Sequence, residues 1–218
     1  MNVNETSAKI AQSLLACEAV KLNVSNPFTW TSGLRSPVYC DNRVTLSFTD
    51  TRKYITQSLC DAIKANFGEA EAIVGVATAG IPQGTSIADA LNLPFAYVRS
   101  EAKKHGLKNN IEGKIEPNTK VVVVEDLIST GKSSLKAVED LRENGVNVIG
   151  LVSIFNYGFK DTDSKFKTAQ CPYISLSNFG DLLEEAVQIG YIQNEDIEKI
   201  SNWSSDPVAW SEQFEQNK

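Results

Sequence analysis

A chain of 218 residues with 42% apolar and 22% charged side chains can bury a full core, and its composition is that of an ordinary globular protein. Its net charge of −6 and pI near 5.0 argue against a protein that coats nucleic acid or an anionic membrane, because either partner favours a basic face. Cys17, Cys40, Cys60 and Cys171 stand far apart, without a C-x-x-C or a neighbouring histidine, so reduced thiols and a cytosolic compartment are expected rather than disulfides or a thiolate metal site.

The N-terminal stretch has no basic start, apolar run and small-residue cleavage site of a secretory signal, and no segment has the apolar length needed to span a bilayer. Residues 7–22 carry Ile10, Leu14, Cys17 and Leu22 near helical spacing, which predicts a helix capped by Thr6 or Ser7. Residues 26–43, "NPFTWTSGLRSPVYCDNR", are read as irregular. Asp50 opens a second helix through Ile55, Leu59 and Ile63, ending near Gly68. A short apolar strand follows over 72–77, then a helix through Ile87, Ala88 and Leu91, then a strand over 94–98.

Residues 99–119 are polar and aperiodic, as expected of a lid or binding loop. "KVVVVE" reads as a strand buried on both faces, as inside a parallel sheet. Residues 133–144 predict a helix with Leu135, Val138 and Leu141 inward and Gly145 at C′. "VNVIGLVSIFN" and "PYISLS" predict strands. Two short helices follow, anchored by Leu183, Val187, Ile197 and Ile200, and then a tail pinned by Trp203 and Trp210. Strands alternating with helices from about 50 to 160 predict an α/β fold with a parallel sheet. One domain is expected over 1–218, with hood segments within 1–45 and a helical tail over 178–218.

The junction "VVVVEDLISTGKSS", 121–134, concentrates the chemistry. Ligands of open parallel sheets bind beyond the carboxyl ends of the strands, and here the apolar run passes through Glu125 and Asp126 into Leu127, Ile128 and a turn. Ser129, Thr130 and Gly131 are small, so backbone N–H groups there, with the start of the next helix, form a phosphate nest to which Lys132 and Ser133 add donors. A P-loop is excluded, since its first glycine position holds Asp126. Carboxylates repel polyphosphate but accept from a sugar diol, and they favour positive charge at an anomeric carbon. The expectation is a 5-phosphate at the glycine end and ribose hydroxyls at the acidic end.

This stretch resembles the phosphoribosyl-pyrophosphate signature of type I phosphoribosyltransferases. "RSEAKKHG", 99–106, looks like the catalytic loop Arg-x-x-x-Lys-x-His-Gly of the orotate phosphoribosyltransferases, with Arg99, Lys103 and His105 on the pattern. The hood "FTWTSGLRSPVYCDNR" and the pyrophosphate-side loop "VGVATAGIP" resemble the same family, and the likeness runs from about 8 to 190. One branch of that family carries a lysine after the loop arginine and another before Gly-Ile-Pro, where this chain has Ser100 and Ala79. It also has an arginine in the strand after the signature helix, where this chain reads "SIFNYGF". "ATAG" and "CDNR" mark the other branch.

The resemblance implies the type I fold with an N-terminal hood and transfer of a 5-phosphoribosyl group from its diphosphate donor to orotate. It implies catalytic roles for Lys103, His105 and Asp126, a donor site of Arg99, Lys103, His105 and residues 125–133, and contact of Ser129 with orotate. It further implies Mg²⁺ held by substrate and water, and a homodimer whose lids reach the neighbouring site. His105 is the chain's one histidine, and Arg99, Lys103, Lys104 and Lys108 against Glu101 give its segment a local +3, suited to gripping a departing diphosphate. Arg35 or Arg43 is a candidate for the orotate carboxylate, with packing or a surface role equally open. Phe28, Trp30 and Tyr39 are expected to pack the hood down. The competing readings are a purine phosphoribosyltransferase, and a non-enzymatic RNA-binding regulator, which the acidic charge disfavours. Nucleic acid and membrane are not expected partners.

Overall fold

The computed structural model describes residues 3–30, 32–99 and 110–216. In chain order it contains α1 (Val3–Ala16), β1 (Val20–Leu22), β2 (Phe28–Thr29), β3 (Arg35–Ser36), β4 (Val38–Cys40), a 3-10 helix (Asn42–Ser47), α2 (Thr49–Asn66), β5 (Ala72–Val76), α3 (Gly80–Leu91), β6 (Phe95–Val98) and β7 (Ile111–Glu112). Then come β8 (Lys120–Ile128), α4 (Lys132–Glu143), β9 (Asn147–Asn156), α5 (Thr162–Thr168), β10 (Tyr173–Asn178), α6 (Phe179–Gln188), α7 (Asn194–Ser205) and α8 (Pro207–Gln216).

The central sheet has the order β10-β9-β8-β5-β6-β7. It is parallel except at β7, which pairs antiparallel with β6 through Tyr97↔Glu112 and Val98↔Ile111. Part of the segment expected to be loop is therefore an edge strand. The four valines of β8 are fully buried and alternate between two cores. Val122 and Val124 pack with residues of α1, α2, α3, α6 and α7, while Val121 and Val123 pack with residues of α4 and α5. Each such valine stabilises the sheet by about 1.5–3 kcal/mol.

Two expectations are corrected at the N-terminus. The first helix ends at Ala16 rather than Leu22, because Glu18 turns left-handed (φ 57°) and the chain re-enters as β1 against β4, Leu22 opposite Val38. Pairing with a strand distant in sequence outweighs the local helical spacing. Ser7 is not a cap: it lies inside α1, buried, with its hydroxyl 3.2 Å from Ser177 Oγ and donating to the Asp181 carboxylate. Residues 26–43 are two short ladders, β2 with β3 and β1 with β4. The expected ends of α2 and α4 hold within two residues, and Gly145 (φ 77°) follows the C-cap Asn144 as predicted.

The C-terminal helices brace the hood. Trp203, fully buried, packs edge-on against Trp30 (5.5 Å between centroids) and Tyr157 (5.4 Å), and also against Phe159 and Phe179. The Ser211 hydroxyl accepts from the Arg35 backbone N–H at 2.9 Å.

Candidate active site

The chain leaves β5 for β6 through α3 on one face of the sheet and leaves β8 for β9 through α4 on the other. The strand order therefore reverses between β5 and β8, and a crevice opens beyond their carboxyl ends. Glycines let the elements close on it. A Cβ on Gly80 would sit 2.4 Å from the Val124 carbonyl oxygen, so only glycine lets the start of α3 approach β8 this closely. Ala77 lines the crevice, and its peptide bond to Thr78 is cis.

The acid pair does not lie in the turn. β8 continues through Ile128, because β9 supplies partners as far as Ile128↔Asn156, whereas pairing with β5 stops at Gly75↔Val124. Glu125 and Asp126 thus stand in a strand with one open edge, and their two carboxyl groups interact with each other. Glu125 is 5% exposed and accepts from Ser134 Oγ at 3.2 Å and from the Asp126 N–H at 3.2 Å. Burial, then the charge of Asp126, pushes the Glu125 carboxyl well above the ordinary range. Asp126 is half-buried, and burial raises it too, against the lowering effects of hydrogen bonds and of Arg43. Its carbonyl accepts from Asn42 Nδ2 at 2.8 Å.

The turn after β8 forms as expected. Gly131 has φ 74° and caps α4, and a Cβ there would lie 2.8 Å from the Phe166 ring. The first turn of α4 leaves N–H groups without intrahelical partners, aimed along the helix axis. A cleft of about 410 Å³ lies over them, lined by Ser129, Thr130, Gly131, Lys132 and Ser133, with Ala77 and Arg99 across from them. The Arg99 N–H donates to the Asn110 carbonyl at 2.8 Å, and Asn110 in turn donates to Asp140 of α4. The chain therefore departs at Arg99 and returns at Asn110 at one point on the rim. Lys103 and His105 lie outside the described residues.

A second pocket, of about 580 Å³, is walled by Thr29, Trp30, Tyr39, Cys40 and Tyr157. Leu127 and Ser129 line both pockets, so the two meet at the end of β8. Trp30 donates to the Val38 carbonyl and Phe28 packs on Tyr39, in line with the packing role expected of the hood aromatics, while Tyr39 is 42% exposed and also faces the pocket.

Most of the sequence-predicted residues gather here: Arg99, Leu127, Ser129, Thr130, Gly131, Lys132 and Ser133 line the first cleft. Three stand apart. The Ile128 side chain is fully buried in the core and lines neither pocket. Glu125 and Asp126 do not line either pocket. Arg35 pairs with Glu215 at 2.6 Å and donates to Thr29 Oγ1 at 2.8 Å, and Arg43 pairs with Asp41 at 2.6 Å. Neither arginine lines the second pocket. Sequence reasoning missed Tyr157 and Asn42. The first stands just past the carboxyl end of β9, where the rule for strand ends would have found it. The second carries no local signal of its own.

A phosphoribosyl transferase domain profile matches residues 49–185. An orotate phosphoribosyltransferase of Bacteroides thetaiotaomicron is 52% identical over 200 residues, covering 92% of this chain and 94% of its own. One from Staphylococcus saprophyticus is 51% identical over 194 residues, covering 89% and 96%. Among solved structures, the orotate phosphoribosyltransferase of Aeropyrum pernix superposes with a TM-score of 0.74 at 29% identity, over 84% of this chain and 99% of that one.

Proposed function

This chain belongs to the phosphoribosyl transferase family and is an orotate phosphoribosyltransferase, and from that premise we propose how its residues carry the transfer. The reaction moves the 5-phosphoribosyl group of 5-phospho-α-D-ribose 1-diphosphate to N1 of orotate, giving orotidine 5′-phosphate and diphosphate, a step of pyrimidine biosynthesis. The observation that carries the assignment of parts is the meeting of two pockets at Leu127 and Ser129. One suits a phosphorylated sugar and the other a flat base.

In this reading the donor's 5-phosphate sits on the N–H groups and hydroxyls of residues 129–133, where the start of α4 favours negative charge. Asp126 accepts from the ribose hydroxyls and stabilises positive charge as the anomeric carbon loses its leaving group. Glu125 supports it from below, held by Ser134. Arg99, Lys103 and His105 take the departing diphosphate, His105 by a hydrogen bond or proton. Orotate occupies the hood pocket and touches Ser129 at the junction. Because the transition state is loose, holding the two reactants in line is the larger part of the work.

Carboxylate oxygens suit a hard cation that retains water, so Mg²⁺ would be held near Asp126 mainly by substrate and water. Asp126 would reach it through the ribose hydroxyls. When bound, it supplies neutralisation of the leaving charge. The chain acts as one domain, with its hood within residues 1–45 and its helical tail over 178–218. It works as a cytoplasmic homodimer in which each lid, beyond Arg99, serves the neighbouring site. Among the described residues no helix is long and apolar enough to cross a membrane.

A spectrophotometric assay of orotate consumption with donor and Mg²⁺, run in parallel with adenine, guanine and xanthine, tests the acceptor. Turnover is expected with orotate alone. Conversion of a purine at a comparable rate would assign the hood pocket to another base.

A further inference from the structure

We infer that Asn42 is a positioning residue of the transfer: its side-chain amide fixes the base pocket against the open edge of β8. The inference rests on the assignment of the two pockets to donor and orotate.

Pairing of β8 with β5 ends at Gly75↔Val124. The Val124 carbonyl faces Gly80 at the start of α3, so closely that a Cβ on that glycine would meet its oxygen at 2.4 Å. Carbonyls two residues apart on a strand point to the same edge, so the next on that edge belongs to Asp126, where β5 no longer supplies a donor. A carbonyl left there without a partner would be destabilising, since a buried acceptor loses its water without replacement. Asn42 Nδ2 occupies the place, at 2.8 Å from the Asp126 oxygen.

Asn42 is itself held tightly. It is 2% exposed, its Oδ1 accepts from Cys40 Sγ at 3.4 Å, and its carbonyl accepts from Thr45 Oγ1 at 2.6 Å. The preceding Asp41 caps the 3-10 helix through the Arg43 N–H, and its own N–H donates to the Ala19 carbonyl at 2.7 Å. Two residues before Asn42 the chain is β4, whose Tyr39 and Cys40 wall the base pocket. One residue after Asp126 it is Leu127, where the two pockets join. A single side-chain bond thus spans from the wall holding the acceptor to the strand holding the donor's ribose. Asn42 lines neither pocket, so it acts through Asp126 and Cys40 rather than on substrate.

A shift of about 1 Å between reactants can lower the rate of an oriented reaction on the order of a hundredfold, without either binding site being lost. The test is Asn42→Asp, which keeps the shape and removes the donor, alongside Asn42→Ser, which keeps a donor on a shorter arm. Steady-state kinetics are read beside equilibrium binding of the donor and of orotate, and beside thermal melting. Expected for Asn42→Asp is a fall in kcat of roughly tenfold to a hundredfold, with each dissociation constant within about threefold of the parent and a folded protein. Asn42→Ser should fall between the two. Unchanged kcat in either variant overturns the inference, as does a loss of kcat matched by an equal loss of binding, or failure of both variants to fold, since each outcome makes Asn42 purely structural. If the parent itself does not convert orotate, the assignment of the pockets fails instead.

Discussion

Ser134 Oγ donates to Glu125 Oε2 at 3.2 Å across the turn that joins β8 to α4, and this bond separates the duties of two adjacent acids. Glu125 is buried, whereas Asp126 is half-buried, bonded to the Glu125 carboxyl and within reach of the charge of Arg43. A carboxylate pair that looks symmetric in sequence is therefore one buried acid and one half-buried acid.

That division has a pH consequence. Folding raises Glu125 above its ordinary value of 4.5, chiefly through burial. Its contribution to stability is therefore fully present below pH 4.5 and is lost as pH rises through the higher folded value. Glu125→Gln has no proton to lose and keeps an oxygen for Ser134. In the ligand-free protein its melting temperature should match the parent in acid and exceed it at pH 8. Parallel melting curves of the two proteins from pH 4 to pH 8 would refute this.

Asp126→Asn should weaken donor use, because an amide accepts from the ribose hydroxyls at one oxygen and carries no charge to oppose the developing cation. The expected loss in kcat/KM for the donor is on the order of a hundredfold to a thousandfold. Initial rates over a donor series measure it. Parent-like activity would count against the ribose clamp.

Lys103→Ala should reduce turnover by roughly a hundredfold or more and leave the fold intact, because the flanking Arg99 and Asn110 bond to each other through their backbones whatever side chain stands at 103. The check is kcat measured beside far-ultraviolet circular dichroism and melting. Unaltered kinetics would remove the lysine from the mechanism.

Trp203 links the tail to the hood pocket through Trp30 and Tyr157. Trp203→Ala should destabilise the protein by about 3–5 kcal/mol and raise the KM for orotate more than that for the donor. Denaturant unfolding and two-substrate kinetics decide it. An equal effect on both substrates would mean that the tail supports the whole fold rather than the hood.

The cleft over the start of α4 was legible because its signals are local. Ser129, Thr130 and Gly131 had to be small for backbone to meet phosphate, and the cap at Gly131 (φ 74°) forms where the sequence puts it. The hood pocket was less legible. The hood is made of strands two or three residues long, too short to show a period, so residues 26–43 read as irregular. Leu22 had helical spacing from Leu14, and its place in β1 depends on β4, which arrives sixteen positions later at Val38.

The sequence by itself determined the alternation of strands and helices, the doubly buried valines of β8 and the acid-to-glycine run that follows them, since each is set by neighbours within a turn or a pleat. Tertiary structure alone decided where β8 ends, which acid is buried and what meets the Asp126 carbonyl. Those follow from β5 stopping opposite Val124 while β9 runs on to Asn156. A backbone edge is open or paired according to strands remote in sequence, and no local pattern records their lengths.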